Sequence, residues 1–266
     1  MFLTRLLSGI VLVILALVIV GKGGALLFVV SAAVSLIGMY ELCRVMGTEK
    51  SMVGLTSYAA GILYYALLWM NDSNYVTLMA IAALMALMAI YVFTFPKYST
   101  EQVTTAFFGI FYLAVMLSYV YQVRAMTDGI YLVWLIVISS WGCDTCAYCV
   151  GVRMGKHKLA PVLSPKKSIE GAVGGVAGAA LLGAGYALLY GDEMLEVVSP
   201  VVTCAAACAI AAVISQVGDL AASAIKRNHN VKDYGHLIPG HGGVLDRFDS
   251  MIFTAPAIYF ALTFLM

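Results

Sequence analysis

QVTTAFFGIFYLAVMLSYVYQV, residues 102–123, runs for 22 positions without a charged side chain. As an α-helix it would be about 33 Å long, enough to cross a hydrocarbon core of roughly 30 Å. A segment in that solvent has no water for its backbone, so every N–H and C=O must be satisfied within a helix or a closed barrel. Similar uncharged runs cover 23–40, 51–71, 73–96, 171–191 and 250–266. Two more contain one interior acid each, 129–152 with Asp144 and 197–225 with Asp219. A shorter run lies between Arg5 and Lys22, whose stems can carry their charges to the two interfaces. The chain is 62% hydrophobic and 11% charged, with a mean hydropathy of +0.96, which excludes a soluble globular domain. The expected fold is an all-α, polytopic integral membrane protein with about nine transmembrane helices. It forms a single membrane domain over 1–266, with a helical part at 1–125 and a motif-bearing part at 126–266. A cleaved signal peptide is disfavoured, because no A-x-A-like site follows the first run.

Basic residues give the expected orientation. Arg5 and the even-numbered connections carry 13 of the 15 Lys and Arg residues, leaving only Lys22 and Arg124 for the other side. The basic side is read as cytoplasmic, with the N-terminus inside and the C-terminus outside.

The polar insert KDYGHLIPGHGGVLDRFDS, 232–250, falls in the eighth connection and holds five charges and two histidines. A basic loop that merely obeys the topology rule is the simplest account of it. The acids argue for more. At 1.5 Å per residue, Asp144 and Asp219 lie about 14 Å and about 10 Å inside the basic face. Carboxylates at that depth must be paired, bind a cation or line a wet cavity. Pairing with a loop Arg or Lys is the structural alternative. Asp246 and Asp249, three apart, share a face if the ninth helix has begun there. An acid-favouring helix N-terminus accounts for Asp249 better than for the set. Four carboxylates thus approach one membrane face. Hard oxygen ligands suit Mg²⁺, which shares its shell with waters and substrate phosphates.

Cations accompany these acids. Lys166 and Lys167 precede the seventh run, with Ser168 suited to capping it, and Ser223, Lys226 and Arg227 end the eighth. Gly240, Gly242 and Gly243 allow backbone N–H groups to approach a ligand closely. Acids, lysines and a glycine loop at a membrane interface point to phosphoryl chemistry on a lipid.

The block SAIKRNHNVKDYGHLIPGHGGVLDRFD, 223–249, resembles the signature of phosphatidate cytidylyltransferases, also called CDP-diacylglycerol synthases. That pattern reads S-x-x-K-R-x4-K-D, a spacer, and P-G-H-G-G-x-x-D-R-x-D, and every fixed position is present. DTCAY at 144–148 and LSPKKSIEG at 163–171 agree as well, although the family more often has Thr at position 168. Residues 1–125 fit only in length and hydropathy.

The resemblance implies that CTP and phosphatidic acid are converted to CDP-diacylglycerol and pyrophosphate. It implies Mg²⁺ at Asp219, Asp246 and Asp249, with a second cation of open identity, and Asp144 in the same polar cavity. Lys226 and Arg227 are expected to act on the reacting phosphates. Lys166, Lys167, Ser168, Ser223, Lys232, His241, Gly242, Gly243 and Arg247 are the expected phosphate- and nucleotide-binding set. A bacterial cytoplasmic membrane and a possible homodimer are the expected setting, with no nucleic-acid partner.

Other features have plainer readings. Cys143, Cys146 and Cys149 resemble part of a cluster-binding run, but the spacing fits helix packing. Gly171, Gly174, Gly175 and Gly178 fit close helix contacts; with no strand expected before them, a nucleotide fingerprint is disfavoured. His229 and His236 read as loop residues, His157 as a solvated tip, and Asn71–Asn74 as a turn. Rival functions are a CTP-dependent lipid kinase, a CDP-alcohol phosphotransferase, whose D-G-x-x-A-R series is absent, and an ion or solute transporter. A transporter would spread its acids through the bilayer depth or show an internal repeat, and neither is visible.

Overall fold

A computed structural model describes residues 2–238, 240 and 242–266. Nine long helices account for most of them: α1 Phe2–Lys22, α2 Gly24–Val45, α3 Met52–Trp69, α4 Ser73–Phe93, α5 Thr100–Arg124, α6 Gly129–Met154, α7 Ile169–Glu193, α8 Pro200–Asn228 and α9 Leu245–Leu265. From α2 to α9 each is long and apolar enough to cross a membrane. The chain is therefore an all-α polytopic integral membrane protein, as the uncharged runs require.

Helix ends run past the charges that bound the uncharged runs. α2 continues past Glu41 and Arg44, and α8 continues through Lys226 and Arg227. α9 begins at Leu245, so Asp246 and Asp249 do lie on one helix. Two helices also contain π-helical turns, Ile110–Val115 in α5 and Ile138–Gly142 in α6.

A two-stranded antiparallel hairpin, β1 Lys158–Ala160 and β2 Ser164–Ser168, leads directly into α7. This corrects the expectation that no strand precedes the glycines of α7. It does not turn them into a nucleotide fingerprint. A Cβ on Gly174 would lie 2.6 Å from Val150, and one on Gly178 2.5 Å from Cys146. Gly175 faces Cys143 and Ala147 in the same way. These glycines let α7 press against α6, and the cysteines supply the facing surface. His157 is corrected too. It is exposed, but its Nδ1 lies 2.6 Å from Glu170 Oε1 and ties the hairpin to the first turn of α7. The Asn71 turn is as expected, with a left-handed φ of 55° at Asn71.

Two compact units emerge, and they cut the chain differently from halves at 125 and 126. One contains Ala25–Ser118, the start of α1 and His229–Arg247. Its helices bury Val53, Leu87, Val103 and Ala106 together. Interhelical hydrogen bonds join Ser35 Oγ to Tyr65 OH at 2.8 Å and Tyr64 OH to Ser118 Oγ at 2.8 Å. In lipid such bonds and close packing hold helices together, since tails are as apolar as leucine.

The other unit contains Ala16–Gly24, Tyr119–Asn228 and Phe248–Met266. α7 buries Gly171, Gly175, Ala179, Gly183 and Ala187, one residue per turn, and packs between α6 and α8. A Cβ on Gly183 would meet Cys208 Sγ at 2.7 Å. Small residues on both sides bring these backbones close together.

Candidate active site

In the second unit, the hairpin delivers a lysine to an interior acid. Successive side chains of a strand point to opposite faces, so adjacent Lys166 and Lys167 cannot act alike. Lys166 is exposed, whereas Lys167 is half-buried and forms a salt bridge with Asp219 of α8. Asp144 of α6 is exposed and within electrostatic range of both Lys167 and Asp219. Ser168 ends the strand and caps α7 as expected, accepting a bond from Gly171 N at 3.1 Å.

α9 is docked to the same region by two contacts. Ser250 Oγ lies 2.7 Å from Ser140 Oγ, in the π-helical turn one helical turn before Asp144. Phe253 lies where a Cβ on Gly218, beside Asp219, would be 2.7 Å away. Asp249 sits next to Ser250 and one turn before Phe253. It accepts its neighbour's amide, Ser250 N, on Oδ1 at 2.8 Å. Asp144, Asp219 and Asp249 thus occupy adjoining turns of three packed helices. Along α8, Ser223 and Lys226 follow Asp219 at helical spacings of four and seven, on one face. Arg227 is exposed beside them.

Gln216, which belongs to no sequence motif, braces this cluster. Its Nε2 donates to Ala172 O at 3.0 Å, linking α8 to α7 one turn from Asp219. A lone glutamine in an apolar run gives little sequence signal.

In the first unit, the signature loop folds around Asp246. The buried carboxylate oxygen Oδ2 accepts Tyr234 N at 2.8 Å and Gly243 N at 3.0 Å. Ile238 N donates to Gly242 O at 2.9 Å. Gly242 has φ +87°, and a side chain there would also press on Asp246 Oδ2. The loop borders an open cavity of about 530 Å³ lined by Lys232, Asp233, His236, Ile238, Gly240, Gly242 and Arg247. Lys232 and Arg247, set against the single carboxylate of Asp233, and open glycine backbone suit an anionic ligand. His241 lies outside the described residues.

The expected residues therefore gather in two sets: Asp144, Lys167, Asp219 and Asp249 in one unit, and Lys232, Gly242, Gly243, Asp246 and Arg247 in the other. Among the described residues, no three His, Cys, Asp or Glu side chains are close enough to enclose a metal ion alone. That does not conflict with Mg²⁺, which commonly takes one or two carboxylates and completes its shell with water and substrate phosphates. The oxygen-only donors Asp219 and Asp249 fit that chemistry, and Lys167 shows that the region holds positive charge.

These features define a helical membrane protein with charged, phosphate-suited groups at the ends of its spans. The chain matches the model of the cytidylyltransferase family over residues 3–265 and belongs to that family. It is 32% identical over 260 residues to the phosphatidate cytidylyltransferase of Staphylococcus saprophyticus, with 96% of each chain covered. It is 31% identical over 272 residues to that of Bacillus subtilis, covering 97% of this chain and 96% of the relative. The Staphylococcus aureus phosphatidate cytidylyltransferase is 32% identical over 259 residues, with 96% of each covered.

Proposed function

We propose that this membrane enzyme transfers the cytidylyl group of CTP to phosphatidic acid, giving CDP-diacylglycerol and pyrophosphate. The observation that carries the reading is the Lys167–Asp219 salt bridge with Asp144 beside it, on helices built to span a bilayer. A lipid phosphate anchored by its acyl chains meets a water-soluble nucleotide only at such a helix end.

The chemistry asks little of a general base. A phosphomonoester has a second pKa of about 6, so phosphatidic acid is already a nucleophile near neutral pH. Its oxygen attacks the α-phosphorus of CTP, and the bond to the β-phosphate oxygen breaks with release of pyrophosphate. Two anions must be brought together and the leaving charge stabilised. Lys167, Lys226 and Arg227 supply positive charge for this in one unit; Lys232 and Arg247 line the anion-suited cavity in the other. Asp219 and Asp249 would hold Mg²⁺, which when bound neutralises charge on the departing pyrophosphate. Asp246 has Oδ2 committed to the loop amides. The basic connections face the cytoplasm, where CTP is available, and the enzyme resides in a bacterial cytoplasmic membrane.

The test uses purified protein, CTP, phosphatidic acid and Mg²⁺, with pyrophosphate and lipid product followed together. Equimolar pyrophosphate and CDP-diacylglycerol are expected, and diacylglycerol should not replace phosphatidic acid. Phosphorylation of diacylglycerol with release of CDP would instead establish a lipid kinase.

A further inference from the structure

Glu41 lies in α2, within a part of the chain that carries none of the signature blocks, yet it is 3% exposed and fully engaged with the signature loop. Its Oε1 accepts Val244 N at 3.0 Å and its Oε2 accepts Leu245 N at 2.8 Å. These amides open α9 and have no intrahelical partner. A cap normally comes from the residue just before the helix. Here that residue is Val244, whose apolar side chain has no acceptor to offer, and a carboxylate 204 positions earlier takes the role. The fit is close, because a Cβ on Gly243 would lie 2.5 Å from Glu41 Oε2, and Gly235 is pressed against the same carboxylate. One turn along α2, Arg44 Nη2 donates to Tyr234 O at 2.8 Å. The N–H of Tyr234 in turn goes to Asp246.

We propose that Glu41 and Arg44 are positioning residues that clamp both ends of the signature loop and thereby set the cavity lined by Lys232, Asp233, His236 and Arg247. Glu41 holds the loop where it enters α9, and Arg44 holds it at Tyr234. The two glycines touching Glu41 are then required by the clamp as much as by any ligand. The catalytic consequence rests on the cytidylyltransferase reading above, whereas the clamp itself does not.

The experiment compares full-length Glu41→Ala, Glu41→Gln and Arg44→Ala with the parent, using CTP kinetics and hydrogen–deuterium exchange by peptide. For Glu41→Ala, exchange over 232–247 should rise at least about tenfold, since two amides lose a charged acceptor. kcat/KM for CTP should fall about tenfold or more through misplacement of the loop, mainly in KM for CTP, with KM for phosphatidic acid little changed. Glu41→Gln, which keeps one accepting oxygen, and Arg44→Ala should fall between parent and Glu41→Ala. If Glu41→Ala cannot be purified, these two decide by the same readings. Parent-like exchange at 232–247, or a rise spread equally over α2–α5, overturns the clamp. A parent protein that makes no CDP-diacylglycerol overturns the proposed function, while the exchange data still decide the clamp.

Discussion

Lys167 and Asp219 meet in a salt bridge between the second hairpin strand and the polar end of α8. Asp144 lies within electrostatic range of both, so this ammonium is the cation that the two acids share. Lys167→Met should therefore lower turnover by about 10²-fold or more, the scale seen when one preorganised charge-stabilising group is lost. Lys166→Met, on the exposed face of the same strand, should cost under about tenfold, because its ammonium is exchanged for water more readily. Steady-state assays of both variants check the ordering, and equal losses would contradict the strand-face argument.

Cation dependence is the expected consequence of the proposed oxygen donors Asp219 and Asp249. EDTA should abolish activity and excess Mg²⁺ should restore it. Asp219→Asn and Asp249→Asn keep size but remove charge, so each should raise the Mg²⁺ concentration needed for half-maximal rate and depress the plateau. A Mg²⁺ titration of each variant separates these effects. Unchanged titrations would remove both residues from the metal site.

Asp246 allows a sharper division between charge and shape. One of its oxygens accepts two loop amides. Asp246→Asn can present its oxygen to the same pair, so loop exchange should stay near that of the parent. Turnover should still fall by orders of magnitude if the carboxylate also contributes charge to the reaction. Asp246→Ala strands two buried donors at about 1–3 kcal/mol each, and should lose loop protection as well as turnover. An active Asn variant would confine Asp246 to holding the loop.

The eight long apolar helices α2–α9 were legible because lipid leaves the backbone no alternative to a helix, and an uncharged run of about 20 residues has few other uses. Ser168 was legible as a cap because capping is local. Glu41 was not. It stands just beyond the uncharged run 23–40 and reads as a loop charge, whereas its partners Val244 and Leu245 are more than 200 positions away. The periodicity of two charges three apart, Glu41 and Arg44, was the one available signal that α2 continued. The hairpin at 158–168 was missed because its strands are short and lysine-rich, without alternating apolar residues; its register is held by pairing and by the Glu170–His157 contact. The π-helical turns in α5 and α6 leave no mark on composition at all.

Topology can be tested at two exposed sites. In a background lacking native cysteines, since Cys149 is exposed, Lys97→Cys should label only from the cytoplasmic side and Glu193→Cys only from outside. Gly235 is a poor reporter, because any side chain there runs into Glu41. Labelling of positions 97 and 193 from the same side would contradict the alternation of spans on which the cytoplasmic assignment rests.

The cysteines of α6 provide the counterpart to the acids. Cys143 and Cys146 face Gly175 and Gly178 of α7, and Cys149 is exposed two turns from Cys143. Their chemistry is not needed for that role; only their size is. Replacing all three with Ala removes one sulfur from each contact and should cost on the order of 1 kcal/mol per buried site. Most activity should remain, with a modest drop in thermal stability. Gly178→Leu should do the opposite of a conservative change, forcing α7 away from α6 and with it the hairpin that carries Lys167; activity and stability should fall together. A dead triple-Ala enzyme alongside active Asp219→Asn and Asp249→Asn variants would place the metal chemistry at the cysteines and overturn the acidic site.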